Sequence, residues 1–523
     1  MINQNFLSLA GDEKPVSLNC RVRIYVADIE EGCSERRCIT RQDVGHQRTL
    51  VVGGVYASNT TSDLLDLKDG KRPFAAALWL CMKEHPILSA VIIGGDTESP
   101  EFATPKNVDL DNHIEIRRSL DLPEDKQIER HLEAVSDDQF SSLHTTPPWK
   151  VVLAPLSLTE HSAPGRALIL FAYYHSHGDG KSGLAFHKSF LKGLCQDPGR
   201  PFDPSGPFDL ICEPPANELL PPIEEAGKLS LSWSYLLSPL IGAYLPTSIA
   251  SLLGIRATWI PQSGNVWRGQ DLTFDPSNFH TGLVSMNIDH ATMRAVLGHC
   301  KAQQTTFTGV LTHLIARALS ASKRETDAAD IFTSQIAVNM RHLFNGAYSD
   351  DSMTNCVTGY SETISCQPYH RSSQWATQSS DFWEAARSTT ASLASAASTL
   401  HNQPIGLLQY LKDFRPWTLG QIGKERESSF EISNLGVFSP EIPPGKEEQS
   451  FKIEKVVFSQ PANASGALLN FNPVSVKGGP LVMTMTWQRG VLDLADGEDE
   501  ETFVRKVCSA LEADVRELAQ VAL

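Results

Sequence analysis

The chain has 523 residues, 41% of them hydrophobic and 20% charged, and a net charge of −16. That length exceeds one ordinary core and points to two large subdomains. The acidic balance excludes the basic stripe of a nucleic-acid binder, and ten scattered cysteines without a CxxC pair exclude a zinc ribbon or a thioredoxin-type site.

The segment Met1 to Asp12 lacks a basic start and a continuous apolar run, so no signal peptide is expected. A cytoplasmic protein with reduced thiols is the reading. Residues 17–57 read as short strands. Ala75 to His85 reads as a helix stopped by Pro86, and Leu88 to Gly94 as a buried strand. Glu124 to Phe140 is helix-compatible. Trp149 to Pro155 and Ala167 to Tyr174 read as a hairpin across a polar segment. Lys181 to Gln196 sets Leu184, His187, Leu191 and Leu194 on one helical face.

Pro198 to Pro222 is rich in proline and acid and starts a linker. Leu229 to Ile255 carries no charged residue, long enough for a bilayer that needs roughly 20 apolar residues. Pro239, Pro246 and recurrent serines argue instead for short packed helices, or for an apolar mouth with Trp233, Tyr235, Tyr244 and Trp259. Shallow contact with a membrane surface is also compatible with it.

The second half restarts with a strand at Gly282 to Ile288. Asp289 caps a helix His290 to Ala302, and Thr305 or Thr306 caps the next, with Val310, Leu314, Ala318 and their neighbours on its face. Ile331 to Met340, Phe430 to Leu435, Lys455 to Gln460 and Leu481 to Gln488 read as strands. Ser373 to Leu400 and Glu500 to Leu523 read as helices. Strands and helices mix without strict alternation, which reads as an α/β sandwich rather than a doubly wound sheet. The domain division is 1–215, a crossover linker 216–270, and 271–523.

The chemistry concentrates in His175-Ser176-His177-Gly178-Asp179-Gly180, between a strand and a helix. Three readings stand. His175 and Asp179 form an acid/base motif, the imidazole exchanging a proton near neutrality. Alternatively His175, His177 and Asp179 ligate a metal, in the spacing of HxHxDH hydrolases, although Gly180 replaces the last histidine. In the third reading the residues are an ordinary polar loop.

The longer string Tyr174 to Gly183, with Phe186-His187 downstream, resembles the active-site motif of the chloramphenicol acetyltransferase superfamily, which includes BAHD acyltransferases, condensation domains and fungal alcohol acetyltransferases. Val338-Asn339-Met340-Arg341 resembles the hydrophobic-Asn-x-Arg segment of BAHD enzymes. Ser433-Asn434-Leu435-Gly436 resembles the SNLG segment of the alcohol acetyltransferase branch. The chain has no DFGWG, which favours that branch. Tyr174 stands where condensation domains carry a first histidine, which leaves His175 as base and His177 as a bystander.

The resemblance implies two chloramphenicol acetyltransferase-like α/β sandwich subdomains with a tunnel between them. It implies transfer of an acyl group, acetyl first, from acyl-CoA to a hydrophobic alcohol such as a secondary metabolite, without an acyl-enzyme. His175 would be the base, and Asp179, paired with Arg341, would hold its loop beside Gly180. Ser433, Asn434 and Ser459 are candidates for the oxyanion or CoA side. Neither a metal nor a permanently bound cofactor is expected, and the chain is expected to be a monomer. A carrier-bound acyl donor, an amine acceptor, or a non-catalytic binding protein of the same fold are the alternatives.

Overall fold

The structure, a computed structural model, describes residues 32–58, 71–156, 165–195, 210–236, 266–323, 331–365, 379–440, 451–494 and 497–520. The first half contains strands β1 (Leu50–Ser58), β2 (Ile114–Ile116), β3 (Trp149–Pro155) and β4 (Arg166–Tyr173). Its main helices are α1 (Cys33–Asp43), α2 (Arg72–Glu84), α3 (Glu124–Ser136) and α4 (Gly180–Cys195). The second half contains β5 (Thr281–Ile288), β6 (Ile331–Asn339), β7 (Val357–Ser365), β8 (Phe430–Ile432), β9 (Gly436–Phe438), β10 (Phe451–Ser459), β11 (Leu469–Val476) and β12 (Leu481–Gln488). Helices α5 (His290–Ala302), α6 (Phe307–Ser322), α7 (Ser380–Ala396) and α8 (Glu500–Gln520) belong with them.

One sheet runs β10-β1-β4-β3-β2; the other runs β7-β6-β8-β11-β12-β5, with β9 on β11. Strands β3 and β4 form the expected hairpin, from Trp149 opposite Tyr173 to Pro155 opposite Ala167. Strand β4 is apolar from Ala167 to Tyr173 because both its faces are covered. Ile169, Phe171 and Tyr173 face α2 and α4, where the Phe171 and Phe186 rings stack at 3.8 Å. Leu168, Leu170 and Ala172 face α3 through Leu132 and Val135.

The second sheet is covered by α5, α6 and α8. Val310, Leu314, Ala318, Phe503, Val507 and Leu511 are buried together against it. Asp289 caps α5 by accepting from the Thr292 N–H, and Thr306 caps α6 by accepting from the Gly309 N–H.

The chain does not confine each sheet to one half. Strand β10 lies beyond residue 450 yet pairs along β1, from Ser459 opposite Val51 to Phe451 opposite Ser58. Thr484 on β12 donates to the Phe458 carbonyl at 2.5 Å, so β10 is tied to both sheets.

Four sequence readings change. Of the strand read from Leu88 to Gly94 only Val91–Ile93 is extended, because Pro86–Ser89 forms a 3-10 turn. Cys33–Asp43 is a helix and not a strand. Its buried side carries Glu35, Cys38, Arg41 and Gln42, so no apolar 3.6-residue repeat marks it. The strand read to Leu435 stops at Ile432. Strands β2, β7, β9 and β11 were not anticipated; β2 and β9 are three residues long, and β7 shows only partial burial along its length, which leaves little hydrophobic pattern.

Residues 17–31 lie outside the described residues. So does 237–255 of the uncharged stretch, together with Tyr244 and Trp259. Of the rest, Leu229 packs with Met340 and Phe344, while Trp233 is 77% exposed. Among the described residues no helix is long and apolar enough to cross a membrane.

Candidate active site

A short turn, His175–His177, links β4 to α4. Asp179 follows it and is buried. The Arg341 guanidinium forks onto Asp179, with both Nη atoms at 2.8 Å from its oxygens. The Ser182 and Cys356 N–H groups also donate to it, each at 3.1 Å. Burial alone would raise the Asp179 carboxyl; Arg341 and these N–H groups outweigh it and hold the pKa below the ordinary value.

Arg341 organises more than Asp179. Asn339 Oδ1 accepts from both the Arg341 N–H and its Nη1, which accounts for the Asn-x-Arg spacing. Arg341 Nη2 also donates to the Ser352 and Thr354 carbonyls at 3.1 and 2.9 Å. The segment 352–356 therefore wraps the guanidinium. The next side chain along it, Asn355, donates to the His175 carbonyl at 2.5 Å. Across the turn, the Gln42 amide, oriented to suit its neighbours, accepts from the His175 N–H at 2.6 Å. The backbone of His175 is clamped on both sides, and the clamp runs back to the Asp179–Arg341 pair.

The His175 side chain packs against Cys38 of α1 and keeps one ring nitrogen unpaired among the described residues. Its Nδ1 is buried without a hydrogen-bond partner among the described residues. Cys38 of α1 lies beside the ring. Burial lowers the imidazole, but the charge of Cys38 outweighs it, with help from Asp179, and His175 sits above its ordinary pKa. Burial raises the Cys38 thiol in turn, and His175, Arg37 and Arg41 bring it down. Replacing Cys38 with alanine is expected to lower the His175 titration midpoint, read from ring protons in histidine-labelled protein. An unmoved midpoint would rule out that coupling.

His177 is placed differently. Its Nε2 meets the Ala90 carbonyl at 3.0 Å, its Nδ1 meets Ser176 Oγ at 3.1 Å, and burial pushes its pKa down to about 4. That is a neutral core histidine. His187 is another, held between Tyr56 and the Val52 carbonyl. Among the described residues no group of three or more His, Cys, Asp or Glu is placed to hold a metal ion. His177→Ala is expected to cost about 1–3 kcal/mol of stability through the unpaired Ala90 carbonyl. Denaturant titration measures that cost; a variant of native stability that has lost turnover would contradict the structural assignment.

Gly180 brings the two sheets together at the turn. A Cβ there would fall 2.5 Å from Leu435 Cδ2 and 3.1 Å from the Phe458 ring. The 433–436 segment divides its tasks. Ser433 lines the same cavity as His175. Asn434 turns away: its Oδ1 accepts from the Gly436 N–H and its Nδ2 donates to Thr308 Oγ1. Gly436 adopts φ +74°, a conformation that favours glycine. Asn434 thus shapes the backbone and offers the cavity nothing. Ser459 is also corrected. Strand alternation sends Phe458 toward Gly180 and Ser459 to the opposite face, where its hydroxyl meets Ser136 Oγ at 3.1 Å in the core.

Two cavities flank the His175 turn. One, of about 310 Å³, is lined by His175, Cys38, Arg37 and Ser433, and by polar side chains of β6 and β7 such as Gln335 and Thr358. The other, of about 460 Å³, lies behind the turn among Ile87, Phe102, Leu219, Leu220, Pro222 and Met353. Asn355 lines both.

The family model described as alcohol acetyltransferase matches residues 121–514, well over half of the chain. The chain belongs to this alcohol acetyltransferase family. As an acetyltransferase-family member it is similar to the probable alcohol acetyltransferase FCK4 of Fusarium pseudograminearum, 24% identical over 80% of this chain and 82% of the relative. It is similar at 23% identity to the probable alcohol acetyltransferase crmB of Aspergillus fumigatus, over 79% of this chain and 84% of the relative. The fold matches that of TRI3 trichothecene 15-O-acetyltransferase from Fusarium sporotrichioides, with a TM-score of 0.65 and 15% identity over 92% of this chain and 94% of that one. The acetyltransferase is thus an acyltransferase on the two-lobed chloramphenicol acetyltransferase-like fold.

Gln42, Cys38 and Asn355 of this acetyltransferase escaped the sequence reading. The first two share a polar helical face, spaced four residues apart, which hydrophobicity does not register. Asn355 carries no local signal at all.

Proposed function

We propose that this acyltransferase moves an acyl group, acetyl in the simplest case, from acyl-CoA to the hydroxyl of a hydrophobic alcohol by direct attack. His175 takes the hydroxyl proton, and the alcohol oxygen bonds to the thioester carbonyl carbon. The resulting tetrahedral oxyanion collapses, the C–S bond breaks, and protonated His175 returns the proton to the leaving CoA thiolate. The observation that carries this reading is His175 itself: a backbone-clamped imidazole on a cavity wall whose Nδ1 has no hydrogen-bond partner among the described residues.

Asp179 and Arg341 act as positioning residues, since their polar atoms are spent on each other and on the 352–356 segment. The polar cavity, with its Ser, Thr and Gln side chains, suits the amide-rich arm of CoA, and Ser433 is the candidate there for holding the oxyanion. The more apolar chamber suits the alcohol. The test follows thiol release from acetyl-CoA with and without a panel of alcohols. Release that needs the alcohol supports direct transfer. A stoichiometric burst of thiol without alcohol would indicate an acyl-enzyme and overturn it.

A further inference from the structure

The chamber behind the His175 turn is apolar over much of its wall, yet one buried carboxyl group, Glu35, lines it, and a half-buried one, Glu224, meets Glu35 beside the lining residue Gly32. Glu35 of α1 lines the chamber beside Ser176 and Asn355 and is only 7% exposed. Its Oε2 has no hydrogen-bond partner among the described residues, and neither has Oε2 of Glu224. The two oxygens converge above Gly32: a Cβ on that glycine would strike both. The second Glu224 oxygen is satisfied by the Cys33 N–H at 3.1 Å. A third unpartnered atom, Asn355 Oδ1, belongs to a side chain 2% exposed on the same wall.

Unpaired buried polar atoms are costly unless something fills them. Two carboxyl groups this close do not both ionise in a buried site. Burial and the Glu224 charge push Glu35 up to about 8, so it carries its proton at neutral pH and is a donor. Glu224, also raised by burial, and Asn355 Oδ1 offer acceptors. A hydroxyl group both donates and accepts, and so satisfies this set. An ether or ketone uses only the donor, and an ammonium group requires the carboxyls to ionise.

We propose that Glu35, with Glu224 and Asn355, is a specificity site that recognises a second hydroxyl on the acceptor, so that the preferred substrates are polyhydroxylated hydrophobic alcohols. The inference rests on reading this chamber as the acceptor side. The groups facing Glu35 are Cys33 and Cys38 on its own helix, and Glu224, His175, Tyr348 and Cys356 from the surrounding elements. Ionisation of Glu35 removes the donor, so recognition weakens as pH rises through about 8.

The test compares 1-octanol with a positional series of octanediols as acceptors for acetyl-CoA. At pH 7 the best diol is expected to exceed 1-octanol about tenfold in kcat/KM, mainly through KM, and to lose that advantage above pH 8. Glu35→Gln keeps a donor that does not titrate, so it should retain the preference and make it independent of pH. Glu35→Met should abolish it; if that variant fails to fold, the Glu35→Gln pH profile decides. Wild-type protein that turns over 1-octanol and every diol equally would overturn the proposal while leaving acyl transfer standing. Turnover of no alcohol would overturn the acyl-transfer reading instead. Calorimetry would then decide this one: tighter binding of a diol than of 1-octanol supports it, and equal binding refutes it.

Discussion

His175→Ala is expected to lower kcat/KM by about 10²–10⁴-fold, the usual worth of a general base, while leaving the melting temperature near that of the parent. The fold should tolerate it because the turn is held through the His175 backbone. Gln42 binds its N–H and Asn355 its carbonyl, and alanine keeps both groups. Among the described residues the side chain supports no other residue through Nδ1. The pH profile gives an independent reading. The base must be neutral to accept a proton, and Cys38 and Asp179 hold His175 above its ordinary value. Activity should therefore rise with pH through a midpoint above that of a free imidazole. Cys38→Ala should move this acid limb to lower pH. A His175→Ala protein that stays folded and turns over alcohols at the parent rate would end the assignment.

Asp179→Asn is expected to be the more damaging change for stability, by about 3–5 kcal/mol. Arg341 is 1% exposed, so the substitution strands a buried guanidinium without its counter-charge. The loss should spread to the site, because the 352–356 segment that wraps Arg341 also carries the Asn355 clamp on His175. Activity should fall together with stability, and Arg341→Lys, which cannot fork onto both oxygens, should fall between the two.

The pair also sets an acid limit. The folded pKa of Asp179 lies below its ordinary value, so its contribution is fully present above the ordinary carboxylate pKa. It is lost as pH falls through the depressed folded value. The parent should therefore lose stability in strong acid along a limb that Asp179→Asn lacks. Urea titrations of both proteins at several acidic pH values measure this. Equal stability at neutral pH would refute a structural role for the pair.

Much of this was legible because local patterns survive in the chain. The apolar run Ala167 to Tyr174 marked a strand covered on both faces. The spacing of Phe503, Val507, Leu511 and Val515 marked the closing helix, and Asp289 marked a helix start. The HxxxDG string placed the catalytic candidate because a strand, a tight turn and a helix follow one another directly. Arg341 was reached through a motif 162 residues away, and its place on Asp179 is a contact that no local pattern carries.

What misled was orientation and polarity. Ser459 looked like a site residue, yet a one-residue step along β10 separates the cavity face from the core face. Asn434 stands inside a site motif but spends its amide on the backbone and on Thr308. Helix α1 was unreadable because its buried side is polar and so carries no apolar repeat.

The sequence by itself therefore determined most of the elements and the mixed α/β class, through periodicity and capping, and the resemblance of its HxxxDG string pointed to His175 as the candidate base. Only the tertiary structure decided how that residue is held and what faces it. The Gln42 and Asn355 clamp, the Cys38 charge beside the imidazole, the passage of β10 into the first sheet and the meeting of Glu35 with Glu224 all join segments far apart in the chain. Such contacts depend on how packed layers bring those segments together, and nothing in the neighbouring residues records it.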